Sequence, residues 1–149
     1  MKPVYIILAS LILFSCKQKN TMNDVTTHAF RLKPGEDLKT RIQDLVNDRQ
    51  IKAGWISTCV GSLTDYKIRF ANQPDGSGNS GHFEIVSLTG TVSVNGSHLH
   101  ISISDSTGKT IGGHLMKGCT IYTTAEIVIL SSNEFVFKRI TDNSSHSIE

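Results

Sequence analysis

Residues 91–101 read TVSVNGSHLHI and contain the strongest short hairpin signal in the sequence. Apolar and polar residues alternate on both sides of Asn95-Gly96, a dipeptide that is typical of the tight turn between two antiparallel strands. We therefore predict a hairpin that pairs Thr91–Val94 with His98–Ile101. A hairpin of this kind indicates an antiparallel sheet rather than a parallel one.

The strand that follows the turn carries two histidines on one face. His98 and His100 alternate with apolar residues, so both side chains are expected on the face opposite the core. Their backbones lie about 6.6 Å apart, twice the rise per residue of a strand. A third histidine, His114, follows Gly112-Gly113. Three imidazoles can bind zinc or a similar transition metal ion and leave a fourth position open. The alternative is that they are ordinary polar residues on a solvated strand face.

The rest of the chain predicts one main helix and further strands. Pro34-Gly35-Glu36-Asp37 opens a helix that should end near Arg49. Its apolar residues recur on one face, namely Leu38, Ile42, Leu45 and Val46. Further strand segments are expected at 51–63, 66–70, 83–94, 120–130 and 134–140. Residues 72–81 are rich in turn-forming residues and predict a long loop. The expected fold class is α+β, a mostly antiparallel β-sheet with one main amphipathic helix.

The N-terminus has the pattern of a bacterial lipoprotein signal. Lys2 precedes an apolar run from Val4 to Phe14, which suits a signal peptide and is too short to span a membrane. The run ends in Leu13-Phe14-Ser15-Cys16, which resembles a lipobox. We expect residues 1–15 to be a signal peptide, followed by a lipidated Cys16 and a polar tether over 16–27. The folded part would then be exported and anchored to a membrane, on the periplasmic side or at the cell surface. An uncleaved anchor and an ordinary secretory signal are the alternatives.

Composition sets further limits. The formal net charge of +2 at pH 7 gives no electrostatic footprint for nucleic acid. Residues 28–142 are long enough for one domain, and residues 143–149 should form a disordered tail. Cys59 and Cys119 lie beside apolar residues and are expected to be small buried side chains. A disulfide between them stays open, because an oxidising compartment permits one and nothing in the sequence requires it.

Several motifs in a fixed order now identify a family. They read RLKPGEDL at 31–38, GSL at 61–63, FEIVSLTG at 83–90, HLHI at 98–101, GGHL at 112–115 and TAE at 124–126. In this order they resemble the plants-and-prokaryotes conserved (PPC) domain, which also occurs in plant AT-hook nuclear proteins. The resemblance covers about residues 28–142. It implies an α+β fold with an antiparallel sheet, a homotrimer, and in prokaryotic members a metal site built from three histidines, here His98, His100 and His114.

Two functions follow as hypotheses. The first is an exported, membrane-tethered binding module, a trimer that holds zinc or a similar ion and has room for a small ligand. The second is a metal-dependent hydrolase or lyase that acts on a small substrate, with Glu84, Glu126 or Asp105 as the general base. The other interpretation of these carboxylates is that they are satisfied polar groups at a subunit contact. A deep pocket with a carboxylate beside the histidines would favour the enzyme.

DNA binding is a distant third possibility, suggested by the label that bacterial members of the family carry. In the plant proteins a separate AT-hook contacts DNA, and this chain has no such segment. Its Lys and Arg residues are scattered, whereas phosphate binding needs them clustered. The expected partners are therefore other copies of the chain, a membrane through the lipid, and a small molecule.

Overall fold

The computed structural model describes residues 25–140 of the 149-residue chain. The expected signal peptide, Cys16, most of the tether and the C-terminal tail lie outside these residues. The elements in chain order are β1 (Val25–Leu32), α1 (Leu38–Asp48), β2 (Gly54–Arg69), β3 (Ser77–Ser93), β4 (Gly96–Ser104), β5 (Thr110–Leu115) and β6 (Thr120–Ser132). The fold is therefore mostly β-sheet with one short helix. Within the described residues, no helix has the length and apolar character to cross a membrane.

All six strands belong to one antiparallel sheet, in the order β1-β6-β2-β3-β4-β5. The long strand β2 also pairs with β5 near its end, where Ile68 lies opposite Leu115 and Arg69 opposite His114. Because β2 pairs with both β3 and β5, the four strands from β2 to β5 form a closed ring of hydrogen-bonded neighbours. Shifts in register between Ile56 and Asp65 bend β2 enough to reach both neighbours.

The helix lies where the sequence places it. Asp37 caps its N-terminus by accepting a hydrogen bond from the Thr40 backbone N–H at 2.8 Å, and Arg49 is its C-cap. Three of the four apolar residues named from the sequence are buried, namely Leu38, Ile42 and Val46. They join the core with the inward face of β4, formed by Leu99, Ile101 and Ile103. The outward face of β4 is thus free to carry polar side chains.

The hairpin at residues 91–101 forms, but its turn is shifted. Val94 and Asn95 make the turn, Ser93 pairs with Gly96, and Thr91 lies opposite His98. A residue outside the hairpin fixes the turn, because the Val94 N–H donates to the Ile51 carbonyl at 2.9 Å. The predicted faces of β4 are nevertheless correct, since Leu99 and Ile101 are buried and His98 and His100 lie on the other face.

Three sequence expectations differ from the structure. Residues 77–81 of the predicted loop belong to β3 and pair with β2, because Gly78 has no Cβ to meet the Tyr66 carbonyl, 2.6 Å from where a Cβ would lie. Residues 134–140 are not a strand. They make one backbone hydrogen bond, from Phe137 to Lys52, instead of a ladder. β1 begins at Val25, inside the stretch that the sequence analysis assigned to the tether, and pairs with β6 from its first residue.

Candidate metal centre

The strand pairing brings the three histidines together. His98 and His100 lie on the outward face of β4, and His114 of β5 lies directly opposite His100. Residues opposite each other in an antiparallel pair have Cβ atoms about 5 Å apart. Two elements separated by a turn therefore present all three rings on one surface.

Two glycines make this arrangement possible. Gly90, on β3, has φ +134°, and a Cβ at this position would lie 2.0 Å from the His98 carbonyl oxygen. Gly113 precedes the third histidine, and a Cβ there would lie 2.5 Å from the Arg69 carbonyl oxygen. In the sequence, Gly112-Gly113 predicts a backbone bend that directs His114 towards the other two histidines. In the structure, glycine at 113 lets β5 approach β2 where the sheet closes.

The ring nitrogens are close to the spacing that a metal needs. His98 Nε2 and His114 Nδ1 are 3.2 Å apart. One nitrogen from each of the three rings lies within 4.8 Å of the other two. Ligands at about 2.05 Å from a tetrahedral zinc are about 3.3 Å apart, so one pair already has this spacing and the His100 ring needs a small rotation. The three residues fit a metal ion.

The rings differ in their access to solvent. His98 and His114 are half-buried, whereas His100 is exposed. A cleft of about 560 Å³ borders His98 and His114, and a smaller one of about 190 Å³ borders His98 and His100 beside Thr89, Gly90 and Thr91. A ligand could therefore reach the histidines from the solvent.

The three candidate carboxylates are placed elsewhere. Glu84 is exposed and lies opposite Ser104, about 13 Å along β4 from His100. Glu126 is exposed on β6, and β2 and β3 separate β6 from β4 in the sheet. Asp105 accepts hydrogen bonds from the Thr107 hydroxyl and the Thr107 and Lys109 backbones, which hold the pKa of its carboxyl below the ordinary value. The strand register brings none of the three opposite a histidine.

The other described histidines lie apart from this cluster. His28 is half-buried on β1 and shares a hydrogen bond of 2.9 Å with the Ser131 hydroxyl. Burial and, secondarily, the charge of Arg49 lower the pKa of His28. His82 is exposed, and its ring lies 4.4 Å from that of Tyr122. Both serve as natural controls for the three clustered residues.

The two cysteines of the domain are free thiols in the core. Burial raises the pKa of Cys59 to about 12 and that of Cys119 to about 11. Neither thiol belongs to the cluster of possible metal ligands found within the described residues. They act as small buried residues, as the sequence predicts.

Cations surround the histidine site, and the sequence does not predict their position there. Arg69 on β2 lies opposite His114, and Lys39 of α1 and Arg139 of the C-terminal segment line the same cleft. These residues come from three distant parts of the chain. No local sequence pattern predicts that these cations lie close together, because the pairing of β2 with β5 depends on how the sheet closes.

Comparisons with known proteins identify relatives of the chain. The model of the Plants and Prokaryotes Conserved (PCC) domain matches residues 19–133. The Bifunctional protein GlmU of Synechococcus sp. (strain JA-2-3B'a(2-13)) is 40% identical over 122 residues, which is 82% of this chain and 19% of the relative. AT-hook motif nuclear-localized protein 13 of Arabidopsis thaliana is a more distant relative, 32% identical over 100 residues, which is 59% of this chain and 22% of the relative. The chain spans about a fifth of the length of these curated relatives.

Solved structures have the same fold. A hypothetical protein from Salmonella cholerae-suis matches with a TM-score of 0.79 and 38% identity, over 82% of this chain and 88% of that one. A metal-containing protein from Archaeoglobus fulgidus matches with a TM-score of 0.68 and 24% identity, over 79% of this chain and 87% of that one. At that identity the second likeness shows the fold alone. Together with the match to residues 19–133, these findings establish that the chain belongs to the Plants and Prokaryotes Conserved domain family.

Proposed function

We propose that this chain is an exported, membrane-tethered protein whose domain binds one divalent transition metal ion through His98, His100 and His114. The observation that carries the proposal is the cluster itself, in which one nitrogen of each ring lies within 4.8 Å of the others. Zinc suits this donor set best, because three imidazoles with one open position form a common zinc geometry. The solved relative described as a metal-containing protein supports the proposal through its fold.

Each residue has a defined part in the site. His98 and His114 are half-buried and already in contact, so they form the preorganised pair. The exposed His100 closes the site by turning its ring towards them. The bound metal would supply a Lewis acid with one open position. The chain itself fixes the direction of the rings through Gly90 and Gly113.

The second part of the proposal is a homotrimer. Large apolar side chains remain exposed on several strands of the described domain. Those on the neighbouring strands β2, β3 and β6 are Val60, 65% exposed, Val86, 57% exposed, and Tyr122, 44% exposed. Val60 lies opposite Glu126, so a polar group borders this apolar surface, as at the polar rim of a subunit contact. The resemblance to the PPC family implies that the assembly contains three chains.

The enzyme hypothesis ranks second. It calls for a pocket over the histidines and for a carboxylate beside the metal's open position. The cleft of about 560 Å³ meets the first condition. Glu84 and Glu126 do not meet the second, because the strand register sets them away from the cluster, and the Asp105 carboxylate accepts hydrogen bonds within its own turn. A binding module accounts for the same residues without a general base.

Metal content tests the proposal. The full chain is purified without an affinity tag, and its metals are measured by mass spectrometry beside a variant with His98, His100 and His114 changed to Ala. We expect one transition metal ion per parent chain and less than a tenth of that in the variant. Folding should survive, because the inward face of β4 is untouched.

Two matched controls make the result specific. His28→Ala and His82→Ala remove an imidazole from other strands and should keep the parent's metal content. Equal metal in the triple variant and the parent would refute the site. It would also remove the enzyme hypothesis, which depends on the same metal.

A further inference from the structure

The cleft beside the histidines is lined by positive charge. Lys39 of α1, Arg69 of β2 and Arg139 of the C-terminal segment all contribute to its wall, together with His98 and His114. The part of that wall formed by residues 25–140 contains no Asp or Glu. Its volume of about 560 Å³ falls within the range of small-molecule sites.

Each cation is held in place by the fold. Arg69 is half-buried opposite His114, which sets its side chain beside the histidine cluster. Arg139 Nη1 donates to the Ser97 carbonyl at 2.6 Å, and this contact holds the guanidinium next to β4. Lys39 is half-buried on the helix face that borders the cleft. Three separate elements therefore direct cations to one place.

None of these three cations forms an ion pair with a carboxylate among the described residues, since the ion pairs found there both involve Arg41. The negative charge of Asp37 favours the charged form of Lys39, but this carboxylate already accepts hydrogen bonds from the N–H groups of Thr40, Gly118 and Cys119. Burial first, and then the charges of Arg139 and Lys117, lower the pKa of Lys39. Cations that crowd together in this way create a potential that attracts an anion.

We propose that this cleft binds a small organic or inorganic anion, whose carboxylate or phosphate group lies between Arg69, Lys39 and the histidine cluster. Guanidinium groups match both kinds of anion, since each can accept two parallel N–H hydrogen bonds. A divalent metal on the histidines adds to the same attraction. The proposal rests on the proposed metal site for that added affinity, while the cations of the cleft bind the anion by themselves.

Calorimetric titration of the metal-loaded full chain tests this. The probes are inorganic phosphate and succinate, with the uncharged succinamide as the matched control. We expect saturable binding of at least one anion and none of succinamide. Arg69→Gln and Lys39→Met should each weaken binding about tenfold or more, equal to about 1.4 kcal/mol. Arg49→Gln and Lys33→Met, which remove exposed cations outside the cleft, should leave it unchanged.

Metal analysis of the same samples separates this proposal from the previous one. The Arg69 and Lys39 variants should keep the parent's metal content, because neither residue is a ligand. If the parent holds no metal but still binds an anion through Arg69 and Lys39, the metal site fails and the anion site stands. If both variants bind phosphate and succinate as tightly as the parent, or if succinamide binds equally well, the anion site is refuted. Phosphate binding without succinate binding, or the reverse, assigns the class of anion.

Discussion

The carboxylate of Asp37 accepts backbone hydrogen bonds from two separate parts of the chain. Thr40 donates from the first turn of α1 at 2.8 Å, and Gly118 and Cys119 donate from the approach to β6 at 2.7 and 3.0 Å. Burial opposes the ionised form, but the hydrogen bond from the Thr40 hydroxyl and those from the three N–H groups hold the pKa of Asp37 below its ordinary value. One side chain thus joins the helix to the sheet.

Replacing Asp37 should therefore destabilise the fold. We expect Asp37→Ala to lower the free energy of unfolding by about 2 kcal/mol, because it removes the cap and leaves two further N–H groups without an acceptor. Urea unfolding followed by circular dichroism measures this. Asp44→Ala, which removes an exposed ion pair with Arg41, should lower it by less than about 0.5 kcal/mol. Equal losses in the two variants would contradict the account.

The same carboxylate predicts a dependence on pH. Since its pKa is lower in the folded state, its contribution is complete above the ordinary value of 3.8 and is lost as pH falls through the folded pKa. The stability difference between the parent and Asp37→Ala should be constant from pH 7 to about pH 5 and shrink in more acidic solution. Unfolding curves at a series of pH values test this, and a difference that grows in acid would contradict it.

At the scale of elements, the β3–β4 hairpin and its contact with β5 determine the site. Gly90 lies opposite Leu99, next to His98, with a φ that favours glycine. Glycine at this position therefore lets the β4 backbone at His98 lie close to β3. A bulkier residue at this point would displace the strand that carries two of the three proposed ligands.

Gly90→Ala should damage both stability and metal binding. We expect a loss of about 3 kcal/mol in the free energy of unfolding, from backbone strain and the contact with the His98 carbonyl. Zinc affinity should fall at least tenfold in titrations of the folded protein. Gly108→Ala is the matched control, because it also has positive φ but has open space around it. An unchanged affinity in Gly90→Ala would show that the position of β4 is not critical.

The elements that the sequence predicts well are those with a strong local pattern. The apolar spacing from Leu38 to Val46 and the alternation around His98 each depend on residues close in sequence. The start of β3 could not be predicted, because Gly78 reads as a turn residue and its pairing with β2 is settled by a close approach between strands. The segment 134–140 has the alternation of a strand, but its one backbone hydrogen bond goes to Lys52, which precedes β2 and is not part of the sheet.

At the scale of the whole molecule, closure of the sheet unites groups that are distant in sequence. The grouping of the three histidines could be predicted from the sequence, since two of them share a strand and the third follows a glycine pair. The position of Arg69 beside His114 could not be predicted, because it depends on the pairing of β2 with β5. The cleft and its charge are consequences of topology, and no short motif contains them.

Assembly as a homotrimer is a prediction for the whole molecule. A truncated chain that begins near residue 20 retains every described element and should fold. Sedimentation equilibrium at micromolar concentration should give three times the monomer mass. Val60→Asp should shift it towards smaller species, because it places a charge among the exposed apolar side chains. A clean monomer in the unmutated truncated chain would refute the trimer.

Attachment to a membrane is a second prediction at this scale. Cys16 should carry a fatty acid, and the chain should fractionate with membranes. Labelling of cells with an alkynyl fatty acid should mark the parent, and Cys16→Ser should carry no label. Cys59→Ser is the control, because that thiol is buried and has its pKa raised to about 12. Equal label in the Cys16 variant and the parent would contradict lipidation.

Anomalous diffraction can locate the metal ion that the three histidines are proposed to bind. Crystals grown with zinc would be measured on both sides of the zinc absorption edge. The account predicts one anomalous peak between His98, His100 and His114, about 2.0–2.1 Å from one nitrogen of each ring. Zinc bound elsewhere on the chain, with no peak among these three rings, would contradict it.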